Sequence, residues 1–209
     1  MKLFFHYCPF GFSNCYILGT DNTGEGDSPM ALIVDPGAMD EAILNFIERN
    51  NYTLRGVLIT HDHRNHVHGL RTLKRIYNAE IYAINHIILD NRTTLVKDGD
   101  ALTIGPFAIE VVSVPGHSSD SAVFKVGRFL FTGDALSAGL VGSTASSYGA
   151  AVQMTALRSK ILSLPGDYIV LPGHGPPSSL EAERRFNAGM EQYERHRNQR
   201  HQFTPEFFE

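Results

Sequence analysis

Histidine is the commonest metal ligand among side chains and titrates near neutrality. This chain has ten, and four of them fall between residues 61 and 68. The segment reads Thr60-His61-Asp62-His63-Arg64-Asn65-His66-Val67-His68-Gly69. Two histidines two residues apart at a strand end point to one side, which pairs His61 with His63. The turn that follows brings Asn65 and His66 to the start of a helix. Three imidazoles from one loop can converge on a metal at ~2.0–2.1 Å per Zn–N bond. A solvated, histidine-rich loop is the competing reading of the segment alone. Three distant positions complete the set: His117 in Val114-Pro115-Gly116-His117, Asp134 in Phe131-Thr132-Gly133-Asp134, and His174 in Leu171-Pro172-Gly173-His174. Each follows an apolar run and a glycine, the residue that permits a tight turn and close backbone approach.

Those side chains need strands to deliver them. Residues 3–7 and 14–19 read as strands joined by a Pro/Gly turn, and 31–34 is a short apolar strand. Helical spacing covers 39–50, a buried strand covers 57–59, a helix covers 66–77 and a strand covers 80–84. Alternating strand and helix predicts an α/β layer. The middle differs, with strands at 101–104, 107–114, 121–126 and 129–132 and no helix between them. A helix near 151–163, a strand at 168–171 and a long polar helix near 179–198 follow. Residues 20–29 form a polar loop, and the tail 199–209 is expected to be loosely attached. The layout suggests two related β-rich halves, each carrying helices, packed sheet to sheet.

Composition narrows the function. Of the 209 residues, 43% are hydrophobic and 19% charged, an ordinary globular balance. The net charge of −4 gives no basic footprint for nucleic acid. No apolar run approaches the ~20 residues that span a bilayer, and the broken N-terminal run does not resemble a signal peptide. Cys8 and Cys15 are too few for a disulfide framework; one bridge or a reduced pair are both open, and the reduced pair fits a cytoplasmic protein. These points predict a cytoplasmic soluble protein with no nucleic-acid or membrane partner, and leave a homo-oligomer open.

Taken together, the Thr-His-x-His segment at 60–66, Pro-Gly-His at 115–117, Gly-Asp at 133–134 and Pro-Gly-His-Gly at 172–175 resemble the metallo-β-lactamase superfamily over essentially the full length. The resemblance implies one domain over 1–209 with a four-layer αββα sandwich, an α/β (α+β) fold with metals at one edge of its sheets. It implies that His61, His63 and His117 hold a first ion, that His66 and His174 hold a second, and that Asp134 bridges both. The ions would be zinc, one or two, with iron or manganese as alternatives. The family's second-site Asp falls at Asn65, which makes Asn65 and Asp134 the catalytic positions to watch.

Asn keeps the shape of Asp but carries no charge and is no base near neutral pH. The exchange should weaken the second position and spare the first. A labile second site, two ions held regardless, or an introduced change all fit the sequence. Asp62 is a poor stand-in, because adjacent residues on an extended segment face opposite ways, and His68, beyond His66 on the helix, is expected to face away from the site. Within the superfamily, Gly133-Asp134-Ala135-Leu136 followed by Gly139-Leu140-Val141-Gly142, and Leu171 to Pro176, resemble short glyoxalase II-like (hydroxyacylglutathione hydrolase-like) members. That implies hydrolysis of a thioester or similar ester-type small-molecule substrate by a metal-bound hydroxide. The separate helical glutathione-binding domain of the longer enzymes is expected to be absent, so glutathione specificity is not implied and the substrate stays open. Two alternatives stand beside it. One is a persulfide dioxygenase-like oxidoreductase with one iron on His61, His117 and Asp134. The other is a catalytically degenerate metal-binding domain. Asn14-Cys15-Tyr16 resembles the family's N-terminal strand, with Cys15 as packing. Asp35 is read as a support near the metals or as a turn cap, and Tyr148 as pocket lining or surface. Arg184-Arg185 and Arg195-His196-Arg197 read as solvated helix faces.

Overall fold

The computed structural model describes residues 1–21 and 28–201, with side chains through residue 195. Most of the polar loop expected at 20–29, the tail beyond 201, and the side chains of His196, Arg197 and His201 lie outside the described residues. Two six-stranded sheets form the centre. The first contains β1 (Lys2–Cys8), β2 (Ser13–Gly19), β3 (Met30–Val34), β4 (Thr53–Leu58), β5 (Glu80–Ala83) and β6 (Thr94–Leu95), in that spatial order. The second contains β7 (Ala101–Ile104), β8 (Phe107–Ser113), β9 (Ala122–Val126), β10 (Phe129–Gly133), β11 (Ile169–Pro172) and β12 (Ser178–Ser179), again side by side in chain order. The first sheet begins antiparallel and continues parallel from β3 onward. The second is antiparallel except where β10 meets β11. Two short hairpins, Ile87–Ile88 with Asn91–Arg92 and Leu136–Ser137 with Leu140–Val141, escaped the sequence reading.

Alternation along the strands builds the layers. Leu18, Leu32 and Leu58 face inward, where they meet Phe107, Ile109, Phe124 and Phe131 of the other sheet. Their neighbours Ile17, Ile33 and Val57 face outward onto Ile43 and Ile47 of α1 (Glu41–Arg49) and Leu70 and Leu73 of α3 (Leu70–Ile76). On the far side Val123, Leu130 and Val170 carry Ala156, Leu157, Ile161 and Leu180. Those come from α4 (Ser147–Ala156), the π turn that continues it through Ile161, and α5 (Leu180–Phe186). Each such aliphatic side chain is worth roughly 1.5–3 kcal/mol when fully buried. The result is the αββα sandwich that the sequence predicts. No helix among the described residues is long and apolar enough to cross a membrane.

Three helical expectations need correction. The helix expected at 66–77 starts earlier, as α2 (Arg64–Val67), and breaks before α3. Gly69 donates to the Pro36 carbonyl, and a Cβ on it would overlap the Pro36–Ala38 backbone. The long helix expected at 179–198 is two, α5 and α6 (Ala188–His201). Asn187 separates them: its amide donates to Glu183 and the Leu140 carbonyl, and its oxygen accepts from the Met190 N–H. Arg184 is no solvated face. Its guanidinium donates to the carbonyls of Leu162 and Gly166, both at 2.8 Å, and of Leu164, closing the end of the α4–π helix, where orphan carbonyls need donors. Arg185 does match the expectation and is exposed.

Candidate metal centre

The site lies where the carboxyl ends of β4, β8, β10 and β11 come together. His61, His63, Asn65 and His66 follow β4, His117 follows β8, Asp134 follows β10 and His174 follows β11. Two glycines make the approach possible. Gly133 has φ +50° and a Cβ there would overlap the Thr60 hydroxyl; one on Gly173 would overlap Asp134 Oδ1. Asn14 and Tyr16 then fasten the last loop to β2. The Asn14 amide donates to the Pro172 carbonyl at 2.9 Å and the Gly175 carbonyl at 2.7 Å, and Tyr16 donates to Pro172 at 2.7 Å.

Every site residue expected from the sequence is brought together. His61 Nε2 lies 3.0 Å from His63 Nδ1, and His117 Nε2 lies 3.1 Å from it. Asp134 Oδ2 is 3.7 Å from His61 Nε2 and 3.5 Å from His117 Nε2. Ligand atoms of a tetrahedral zinc with bonds of ~2.0–2.1 Å are about 3.3–3.4 Å apart, so these four atoms outline a cage of that size. His66 Nε2 is 3.4 Å from Asp134 Oδ1, and His174 Nε2 is 3.5 Å from Asp134 Oδ2. His61, His63, His117 and Asp134 form one group of metal-competent atoms, and His66, Asp134 and His174 form another.

Outer partners decide which nitrogens carry lone pairs. His117 Nδ1 donates to the Ser143 carbonyl at 2.8 Å, leaving Nε2 as the acceptor. Thr60 Oγ1 donates to Asp35 Oδ2 at 2.6 Å, so it accepts from His61 Nδ1 at 3.0 Å, and His61 Nε2 is likewise a lone pair. His63 Nδ1 faces both and could satisfy only one of them with a proton. His66 Nε2 and Asp134 Oδ1 are buried without a hydrogen bond. Such crowding of acceptor atoms fits a cation. At the other group, His174 Nδ1 donates to the Phe12 carbonyl at 2.8 Å. Its Nε2 is therefore an acceptor, and the Asn65 amide nitrogen lies 2.9 Å from it. Asn65 presents N–H to His174, with its oxygen turned elsewhere.

Charge follows the same division. Burial, with His66 nearby, pushes the His61 imidazole down to about 3. Burial and then His117 lower His63. Burial also opposes protonation of His66, but the Asp134 and Asp35 carboxylates, 3.4 and 3.2 Å from its ring nitrogens, outweigh it and raise His66 to about 10. Asp134 resists its own burial for the same reason: His66 beside it holds its carboxyl well below the usual range.

Asp35 supports the site: it accepts from the Thr60 N–H at 2.8 Å and lies 3.2 Å from His66 Nδ1. The loop after Asp134 borders the site through Ser143, whereas Tyr148 is 78% exposed and belongs to the surface. His68 faces away and stacks on Phe10. Asp62 is exposed, and its backbone N–H is held by the buried Asp120 carboxylate at 2.9 Å. The sequence reading missed Asp120, Thr60, Ser13, Asn14 and Tyr16 as supports. Polar side chains inside apolar strands were the available signal for Asn14 and Tyr16; the carbonyls of Phe12 and Ser143 offered none.

Comparison with known proteins places this geometry among relatives. The profile of the Metallo-beta-lactamase superfamily matches residues 8–174. An uncharacterized protein of Mycobacterium bovis is 28% identical over 216 residues, covering 85% of this chain and 92% of its own. A hydroxyacylglutathione hydrolase of Francisella tularensis is 34% identical over 151 residues, covering 71% of this chain and 60% of its own. Among solved structures, the BLEG-1 B3 metallo-beta-lactamase superposes with a TM-score of 0.80 at 26% identity, covering 90% of this chain and 99% of its own. ETHE1 from Myxococcus xanthus gives 0.79 at 25%, covering 92% and 88%. TTHA1623 in a di-iron-bound form gives 0.70 at 26%, covering 87% and 96%.

Proposed function

The chain belongs to the metallo-beta-lactamase superfamily, and from that premise we propose that it is a metal-dependent hydrolase of a thioester or a similar ester-type small molecule. The observation that carries this is the cage of His61 Nε2, His63 Nδ1, His117 Nε2 and Asp134 Oδ2, whose lone pairs converge with no hydrogen to separate them all. These four atoms would hold one zinc, with iron or manganese as alternatives. His66 and His174, with Asp134, would hold a second and weaker ion, because Asn65 supplies no charge. A bound ion supplies two things: a nucleophile, by drawing the pKa of a coordinated water toward 7, and polarisation of the acyl oxygen. Asp134, acceptor-only while ionised, orients the water's hydrogens toward itself. Asn65 cannot remove a proton at this position, but its amide can donate to an oxygen. Ser143, Thr60 and Phe12 fix the imidazole tautomers, as partners beyond a metal's own ligands generally do.

The thioester preference draws on the 34% identical hydroxyacylglutathione hydrolase, of whose length this chain spans 60%. Cys8 and Cys15 are buried and unbridged, which supports a cytoplasmic setting. A second reading, an oxygenase with one iron on His61, His117 and Asp134, draws on those three groups being in place and on the likeness to ETHE1 from Myxococcus xanthus. Metal analysis together with a panel of acyl thioesters and lactones separates the two. Hydrolysis that disappears in His117→Ala is the expected result. One iron per chain with oxygen uptake on a persulfide, and no hydrolysis, would replace the proposal with the second reading.

A further inference from the structure

Three of the four sheet edges are short: β6 and β12 have two residues each and β7 has four. The fourth, β1, runs for seven residues. It pairs with β2 along its whole length from Lys2 to Cys8, and with no other strand among the described residues. Edge strands normally carry a device against further pairing: brevity, charge, proline or a bulge. β1, Lys-Leu-Phe-Phe-His-Tyr-Cys, has an unbroken ladder, no acidic residue, and its one lysine at the outer end. Proline waits until position 9.

Leu3, Phe5 and Tyr7 share one face, opposite Leu18, Tyr16 and Asn14 of β2. This is the face toward the second sheet, where Leu18 and Tyr16 are buried. The second sheet does not cover the outer part of it. Phe5 is 43% exposed and Tyr7 51%, and Phe12 from the adjoining turn, 67% exposed, stacks on Tyr7 with ring centroids 6.4 Å apart.

We infer that β1 is the docking edge for a second copy of this chain, joined β1 to β1 in antiparallel register about a two-fold axis at Phe5. That register sets Phe5 against Phe5, Leu3 against Tyr7, Phe4 against His6 and Lys2 against Cys8. No like charges meet, apolar and aromatic side chains face each other on the uncovered side, and the two first sheets become one continuous sheet. The arrangement is isologous and closes on itself, as a two-fold pair must. Parallel pairing would set Lys2 beside Lys2 and does not close. The turn from β1 into β2 ends on Phe12, whose carbonyl holds His174, so the interface lies beside the metal centre. The inference stands on the edge alone and does not depend on the hydrolase reading.

Analytical ultracentrifugation over a dilution series tests it. The wild-type chain should sediment at twice its 23.1 kDa mass. Phe5→Glu and Phe5→Lys each place two like charges on the axis and should each sediment as monomers with unchanged circular dichroism. Mixed in equal amounts, they should recover one dimer containing both. Three results overturn the inference: a monomeric wild type at every concentration, a dimer that survives Phe5→Glu, or folded charge variants that do not recombine. A monomeric wild type whose β1 amides resist hydrogen exchange would assign the edge to another segment of the same chain.

Discussion

The two halves of the metal centre are built from the same side chains and differ in what their lone pairs face. At the first, the acceptor nitrogens of His61 and His117 both face His63 Nδ1, and a fourth acceptor, Asp134 Oδ2, stands across from them. At the second, the acceptor nitrogen of His174 already has the Asn65 N–H, while His66 Nε2 and Asp134 Oδ1, 3.4 Å apart, are buried without a hydrogen bond. One half needs a cation to relieve it. The other has one of its two imidazoles, His174, already partnered by the chain itself. The lesson is that ligand inventory does not rank metal sites; the hydrogen-bond partners of the ligands do. The largest effect should come from breaking the unsatisfied half. His117→Ala removes one wall of the cage and should weaken the first ion by more than the roughly 10–100-fold that loss of an outer partner costs. Competition with a chromophoric chelator reads it. Retention of the ion at wild-type affinity would dismiss the cage as the first position.

Asn65→Asp sharpens the comparison from the other side. The carboxylate cannot donate to His174 Nε2, so the lone pair is released and a negative charge arrives together. The second ion should bind about 10–100-fold more tightly, the range by which nearby polar partners tune metal sites, and native mass spectrometry should show occupancy rising toward two. The first ion should be unmoved. The backbone at 65 is clamped, with the Ser13 hydroxyl donating to its carbonyl at 2.6 Å and Gly11 and Gly37 packed against it. The exchange therefore acts through the side chain.

Asp35 touches both halves, through Thr60 to His61 and directly to His66. In metal-free protein the elevated His66 pKa contributes stability fully below about 6.5, which is lost as pH rises through about 10. The depressed Asp134 pKa contributes above the ordinary carboxylate value and is lost as pH falls. The lowered His61 and His63 pKa values act in the other sense, costing stability as pH falls below about 6.5. Metal-free protein should therefore be most resistant to urea near pH 6.5, with resistance falling on both sides. Asp35→Asn removes one of the two charges holding the His66 proton. The alkaline loss should then begin at lower pH, and the first ion should weaken by about tenfold as Thr60 loses its acceptor. A NMR titration of His66 that is unaltered by the exchange would contradict this account.

How much of this was legible beforehand depended on where the information sits. His61, His63, His117, Asp134 and His174 could be read because each is a distinctive side chain just after an apolar strand, four of those strands carrying strict hydrophobic signatures. The breaks at Gly69 and Asn187 were invisible, since each arises from a tertiary contact and not from local periodicity. Arg184 looked solvated because a helix-face count cannot see three carbonyls arriving from another helix end. The ranking of the two metal positions was half legible: Asn65 showed a missing charge, but only the Phe12 carbonyl, a group every residue possesses, fixes the His174 tautomer that makes Asn65 a donor.

The smallest expected effect tests whether the first position depends on a brace far from it. Glu183 is buried, and its carboxylate accepts from the Gly139 N–H at 3.1 Å, the Ser178 hydroxyl at 2.5 Å and the Asn187 amide at 2.6 Å. It thereby holds the loop that continues to Ser143, whose carbonyl orients His117. Glu183→Ala leaves those donors without an acceptor and should cost about 1–3 kcal/mol of stability. Glu183→Gln can turn its amide nitrogen toward the Ser178 oxygen and keep an acceptor for Gly139 and Asn187, so it should cost about 1 kcal/mol or less. Both should weaken the first ion by a few-fold at most and leave the second unchanged, because Phe12 and Asn14 hold His174 from the opposite sheet. Equal weakening of both ions would mean that the two halves share a support, and that Asn65 alone does not separate them.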